Sequence, residues 1–101
     1  MISIEWTSPA FAQLEVLPEK LAFEIVERVD LLATFPKMGT SLESSYPALN
    51  DCRQLIIGRS YRVVYGFDEM ENQIWVLAVQ YCRQRLPSAR ELKRRKFKSE
   101  E

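Results

Sequence analysis

The sequence predicts an α+β fold: an N-terminal strand and a helical hairpin packed on an antiparallel sheet, followed by a basic C-terminal helix or tail. Three observations carry this expectation. Ile2, Ile4 and Trp6 alternate with Ser3 and Glu5 at the start of the chain, the period of a half-buried strand. Apolar residues then recur at helical spacing up to Phe35-Pro36, and three runs rich in β-branched and aromatic residues fall between 53 and 82. A chain of 101 residues fits a single domain, 1–101, in which 83–101 forms a basic C-terminal segment.

Taken in order, Ser8-Pro9 supplies an N-cap residue and a proline at the first helical position. The helix that follows places Phe11, Leu14 and Leu17 on one side. Pro18 opens a second helix, with Glu19 near its positive end. Along that helix Leu21, Ile25, Val29 and Leu32 form the apolar stripe, and Glu24, Glu27 and Asp30 the wet face. The residue before a proline is pushed out of the helical region, so Phe35-Pro36 ends it. Residues 37–50 have turn composition and read as a loop. Strands are expected at Arg53 to Ile57, Tyr61 to Phe67 and Gln73 to Cys82. In the last, Ile74, Val76 and Ala78 oppose Trp75, Leu77, Val79 and Tyr81; two apolar faces mark a central strand. Leu86-Pro87-Ser88 leads into the basic segment, helical to about Phe97. An antiparallel sheet with helices on one face accounts for this order.

Composition narrows the chemistry. The chain has no histidine, which excludes Ser–His and Cys–His nucleophile pairs, histidine bases and histidine metal ligands. Cys52 and Cys82 form no metal-ligand cluster and read as small buried thiols, so neither a metal nor a cofactor is expected. The N-terminus has no signal-peptide pattern and nowhere do eighteen apolar residues run together, so a cytoplasmic protein without membrane contact is expected. The net charge of zero is a cancellation. The first fifty residues carry three basic and seven acidic side chains, the remainder eleven and seven, and the segment 83–98 holds eight bases against Glu91 alone. Such a split hints at a polyanion or an acidic protein as partner.

The stretch Arg59-Ser60-Tyr61-Arg62-Val63-Val64-Tyr65-Gly66-Phe67-Asp68, followed by Trp75-Val76-Leu77-Ala78-Val79 and Arg83, resembles the RelE/ParE superfamily, the toxin halves of bacterial type II toxin–antitoxin modules. The resemblance is strongest over 51–85 and extends more loosely over 2–85. It implies growth inhibition and a role in plasmid stabilization. RelE-like members act as mRNA interferases in the ribosomal A site, ParE-like members inhibit DNA gyrase, and a cognate antitoxin neutralises both. The ribosome with its mRNA, or DNA gyrase, is therefore the implied target.

By that resemblance Arg62 is the arginine of the "YR" strand and Arg83 that of the last strand's end, with Arg85 a close competitor. Arginine suits phosphate because its fork binds oxygens bidentately and stays charged, which equally prevents it from acting as a base. Departures from the family matter as much. Ribonuclease members place lysines where this chain reads Arg53, Gln54, Leu55 and Ile56, and carry a C-terminal tyrosine or histidine where 86–101 has neither. Tyr81 and Tyr61 remain as proton-transfer candidates, a role tyrosine fills slowly near neutral pH. Arg53, Arg59, Arg90, Lys93 and Arg94 are candidate contacts to nucleic acid or a partner. Tyr61, Tyr65, Trp75 and Tyr81 suit sheet packing better than base stacking. The reading is a toxin that binds more convincingly than it cuts; if it is an enzyme, it is a metal-independent endoribonuclease of RelE type. The alternative is a non-catalytic interaction domain that keeps the same fold.

Overall fold

The computed structural model describes residues 1–99, with side chains through Lys96. In chain order the elements are β1 Ser3–Trp6, α1 Ser8–Glu15, α2 Glu19–Asp30, β2 Thr40–Ser41, β3 Cys52–Ile57, β4 Tyr61–Asp68, β5 Gln73–Tyr81 and α3 Ala89–Ser99, with 3-10 turns at Leu31–Ala33 and Pro47–Leu49. The strands form one sheet in the order β1-β5-β4-β3-β2. From β2 to β5 neighbours are antiparallel, as expected, and β1 joins β5 in parallel, so the sheet is mixed. Two tight connections set the antiparallel register. Gly58, at φ 62°, takes a left-handed conformation that costs glycine little in the β3–β4 turn. In the β4–β5 turn Asp68 Oδ1 accepts from the backbone N–H of Met70 and Glu71 at 3.1 and 3.2 Å, an Asx turn.

The segment 37–50, expected to be a loop, contributes the short edge strand β2 and the 3-10 turn that carries Leu49. Near the start of the chain the N-cap position falls at Thr7 rather than Ser8. Thr7 is fully buried, and its N–H and hydroxyl both donate to the Val76 carbonyl, at 3.1 and 2.8 Å. The inward residues of α1 are Ala10 and Leu14, while Phe11 is 49% exposed.

A bulge corrects the expected faces of β5. Val64 pairs with Ala78 but Tyr65 pairs with Val76, leaving Leu77 unopposed. One extra residue inverts the alternation beyond it. Ile74 and Val76 therefore share a face with Val79, and Leu77 shares the other with Ala78. The sheet accordingly has two cores. Under α1 and α2 lie Ile25, Val29, Leu32, Leu55, Ile57, Val63, Tyr65, Ile74 and Val76. On the opposite face Cys52, Val64, Leu77 and Ala78 meet Leu42, Leu49, Leu86 and Leu92. Leu92 belongs to α3, so helices cover both faces rather than one. Tyr65 locks the first core to the 34–39 segment: its hydroxyl donates to the Pro36 carbonyl and accepts from the Gly39 N–H, at 2.8 and 2.9 Å. A Cβ at Gly39 would stand 2.7 Å from the Gln54 carbonyl and from the Tyr65 ring, too close for any other residue.

Beyond the end of β1, the outer edge of β5 is closed by side chains. The Val79 N–H donates to Gln13 Oε1 of α1 at 2.8 Å, and Arg95 of α3 donates to the Leu77 carbonyl at 2.7 Å. Unpaired strand edges invite association with other chains, and here two helices occupy the exposed groups instead.

Candidate phosphate-binding groove

The bulge that reorders β5 also decides what surrounds Arg62. On β4 Arg62 pairs with Ile56 on one side and Gln80 on the other, and it shares the α3-covered face of the sheet with Val64. It is 8% exposed. Its Nη2 donates to the Gln84 carbonyl at 2.5 Å. Gln80 reinforces the same turn, with Nε2 3.1 Å from the Gln84 carbonyl and 3.3 Å from that of Arg85. Gln84 closes it by accepting the Tyr81 N–H on its side-chain oxygen at 2.9 Å. Two polar side chains inside an apolar sheet thus fold residues 82–86 over its end.

Past this turn Leu86 enters the second core and Ser88 starts α3. The Ser88 hydroxyl accepts the Glu91 N–H at 3.1 Å, and Glu91 sits in the first turn, the spacing of a capping box. Glu91 also pairs with Arg94 and, at 3.7 Å, with Arg95. Lys96 comes to rest over β4: its Nζ lies 3.3 Å from the point a Cβ on Gly66 would occupy. Nearby, burial pushes the Cys52 thiol from 9.0 up to about 12, the Asp51 carboxylate adds to the rise, and the Lys96 charge opposes it.

The 82–86 turn and the Tyr46–Leu49 segment enclose an open groove of about 740 Å³, lined by Arg62, Arg83, Arg85, Tyr46 and Ser88 among others. Arg83 and Arg85 are exposed, and among the described residues neither has an acidic partner. Arg62 is fixed at its inner edge, with its buried Nε unbonded among the described residues. Burying a guanidinium without a counter-charge is costly, so this arrangement suits an anion in the groove beside it. A phosphate has the matching geometry.

The remaining residues singled out from sequence are dispersed. Tyr81 lies on the opposite face from Arg62, because the bulge turned it: its ring stacks on Tyr61 with centroids 4.4 Å apart. Neither tyrosine reaches the groove. Hydrogen bonding to Tyr81 and burial raise the Tyr61 hydroxyl above its ordinary pKa. Arg53 also faces away, bridging the Gly39 and Lys37 carbonyls at 2.7 and 3.3 Å. Arg59 lines a separate cleft of about 240 Å³ with Ser60, Tyr81, Cys82 and Arg83. Arg90, Lys93 and Arg94 are exposed on α3, with Lys93 beside a small cavity floored by Cys52. Cys82 is half-buried, not buried as expected, and both thiols are free. Sequence reasoning missed Tyr46, whose segment shows no periodicity, and Gln80, whose polarity inside an otherwise apolar strand was the available signal.

A mixed sheet clasped by helices on both faces, with a basic groove at the end of its central strands, is an α+β fold of the RelE kind. Solved structures agree in fold. The toxin–antitoxin complex RelBE2 of Mycobacterium tuberculosis matches with a TM-score of 0.67 at 23% identity, covering 79% of this chain and 96% of that one. The isolated E. coli RelE toxin matches with a TM-score of 0.68 at 14% identity, covering 93% and 98%. The intact E. coli RelBE toxin–antitoxin complex matches with a TM-score of 0.67 at 15% identity, covering 83% and 100%. No curated protein matches in sequence. The family model described as "ParE toxin of type II toxin-antitoxin system, parDE" matches residues 4–86. The chain belongs to that family and is the toxin of a type II toxin–antitoxin system.

Proposed function

We propose that this toxin arrests growth by holding a nucleic-acid phosphate in the Arg62 groove, that it binds rather than efficiently cuts, and that a cognate antitoxin neutralises it. The observation carrying the reading is the buried, incompletely bonded Arg62 at the inner edge of a groove flanked by arginines 83 and 85, which have no acidic partner among the described residues. One anchored guanidinium and two exposed ones can stabilise charge on phosphate oxygens. Cleavage of a ribose-phosphate bond further needs a group to take the 2′-hydroxyl proton, and arginine cannot serve. With the family's tyrosine or histidine absent and Tyr81 on the other face, Tyr46 is, among the described residues, the phenol that lines the Arg62 groove. This favours a ParE-like target over ribosome-dependent cleavage. The antitoxin is inferred from the solved relatives, several of which are complexes of toxin with antitoxin.

Expression of the chain alone in a bacterial host arrests growth, and Arg62→Ala restores it at equal soluble level. Primer extension on translated messages shows no cuts confined to the ribosomal A site. Normal growth at high soluble expression overturns the toxin mechanism. A-site cuts that vanish in Arg62→Ala overturn binding in favour of cleavage.

A further inference from the structure

The Tyr61–Tyr81 pair lies outside the groove, yet it carries the features of a recognition surface. The two rings are cross-strand neighbours in contact at 4.4 Å with their planes inclined by 31°. Tyr61 is half-buried and packs on the first core, so it backs Tyr81 as a rigid support. Tyr81 itself is 52% exposed, which leaves an aromatic surface open to solvent. Arginines stand on both sides: Arg59 from the β3–β4 turn and Arg83 from the turn after β5 line one cleft with Tyr81. That cleft is held in shape by the Cys82 N–H donating to the Ser60 carbonyl at 2.7 Å. Among the described residues neither arginine has an acidic partner. Arg83 lines this cleft and the Arg62 groove alike, so the two basic surfaces meet at its side chain around the end of the sheet.

We propose that Tyr81, supported by Tyr61 and flanked by Arg59 and Arg83, is a subsite for an unpaired base and its adjoining phosphates in a single-stranded nucleic acid whose neighbouring phosphate occupies the Arg62 groove. The inference rests on the nucleic-acid reading above. A backed aromatic ring between unpaired cations is what single-strand recognition uses: the ring stacks on a base of any identity and the cations follow the backbone. An acidic peptide would satisfy the arginines but would leave the ring without a function. The bulge at Leu77 supplies the physical cause of the division. It turns Tyr81 away from Arg62, so one strand end presents a guanidinium to one face and an aromatic ring to the other.

The test is fluorescence anisotropy of fluorescein-labelled hexauridylate titrated with the chain made by cell-free synthesis, repeated across salt concentrations, with thermal melts verifying the fold of each variant. Tyr81→Ala weakens binding about tenfold while Tyr81→Phe binds like the parent, since stacking needs the ring and not the hydroxyl. Tyr81→Ala leaves the slope of log affinity against log salt unchanged, whereas Arg59→Ala lowers it by about 0.7, the value for one phosphate contact to a single strand. If Arg62→Ala and Arg85→Ala abolish binding but Tyr81→Ala does not weaken it, the subsite is refuted and the groove stands. If hexaglutamate displaces the probe as well as unlabelled hexauridylate does, the ligand class is refuted. If the parent chain does not bind hexauridylate at all, the nucleic-acid reading itself fails.

Discussion

The two faces of the sheet solve different problems with the same strands. Under α1 and α2 the core is large and mostly apolar, and its buried hydroxyls are hydrogen-bonded, Thr7 to the Val76 carbonyl and Tyr65 to two backbone groups. Under α3 the core is smaller and shares its space with Arg62 and Gln80, buried at 8% and 6% exposure. Its polar atoms are incompletely satisfied: Arg62 Nε and Gln54 Oε1 have no partner among the described residues. Natural proteins satisfy nearly all buried polar atoms, so a local concentration of exceptions marks where structure serves something other than stability. The first face holds the fold, and the second holds charge at the rim of a groove.

Truncation within each core gives the largest contrast. Ile25 is completely buried between α2 and the sheet, and Ile25→Ala leaves a cavity that rigid neighbours cannot fill, costing about 3–4 kcal/mol. Leu92→Ala costs about 2 kcal/mol, because α3 borders a groove and can settle inward. Urea denaturation of both variants measures the difference. Equal losses would show that the groove face is packed as rigidly as the other and would remove the basis of the comparison.

Alkaline pH probes the groove face selectively. Folding keeps the Cys52 thiol neutral by burying it, raising its pKa from 9.0 to about 12. For an acid raised in this way the stabilisation is fully present below pH 9, and stability falls as pH climbs from about 9 toward 12. Cys52→Ala delays the onset of that fall. What remains begins higher, near the ordinary tyrosine value of 10.0, because burial raises the Tyr65 hydroxyl above it and the unfolded chain ionises first. Melting temperature against pH for the two proteins gives the result, and coincident curves would show that Cys52 is not the group responsible.

On the other face Tyr65→Phe is a smaller change, about 1–3 kcal/mol, because it orphans the buried Gly39 N–H while removing a single oxygen. Thermal denaturation of Tyr65→Phe measures it. A loss below the precision of the melt would mean that the 34–39 segment is not held by that hydroxyl.

How much of this was legible in the sequence depended on the range of the interaction. The helices and long strands follow from local periodicity, so α2 and β3 to β5 fall where the spacing of Ile25, Val29, Val63 and Tyr65 places them. The bulge at Leu77 does not. Every residue of that strand is apolar from Ile74 to Val79, so the pattern gives no sign of where alternation inverts, and Tyr81 was assigned to the wrong face. The parallel docking of β1 and the return of α3 across the sheet are long-range events that no local pattern encodes. Of the site, Arg62, Arg83 and Arg85 were visible through family likeness and are gathered in one groove. Arg53 was not separable from them by type alone, because its role as a clamp on the Lys37 and Gly39 carbonyls depends on a loop distant in sequence.

The smallest effect on stability separates the faces most sharply. Arg62→Met replaces a buried, partly unsatisfied guanidinium with an apolar chain of similar reach between Ile56 and Val64. Exchanging a buried charge for a packed hydrophobe is frequently neutral, and a change within about 1 kcal/mol of zero is expected. The Gln84 carbonyl is not orphaned, because Gln80 Nε2 still donates to it at 3.1 Å. Growth arrest nevertheless disappears, since the groove loses the cation at its inner edge. Thermal melts and the growth assay, run on the same variant, decide the matter. A melting temperature lowered by ten degrees or more would make Arg62 a clamp for the 82–86 turn, and the second face would then be a folding device like the first.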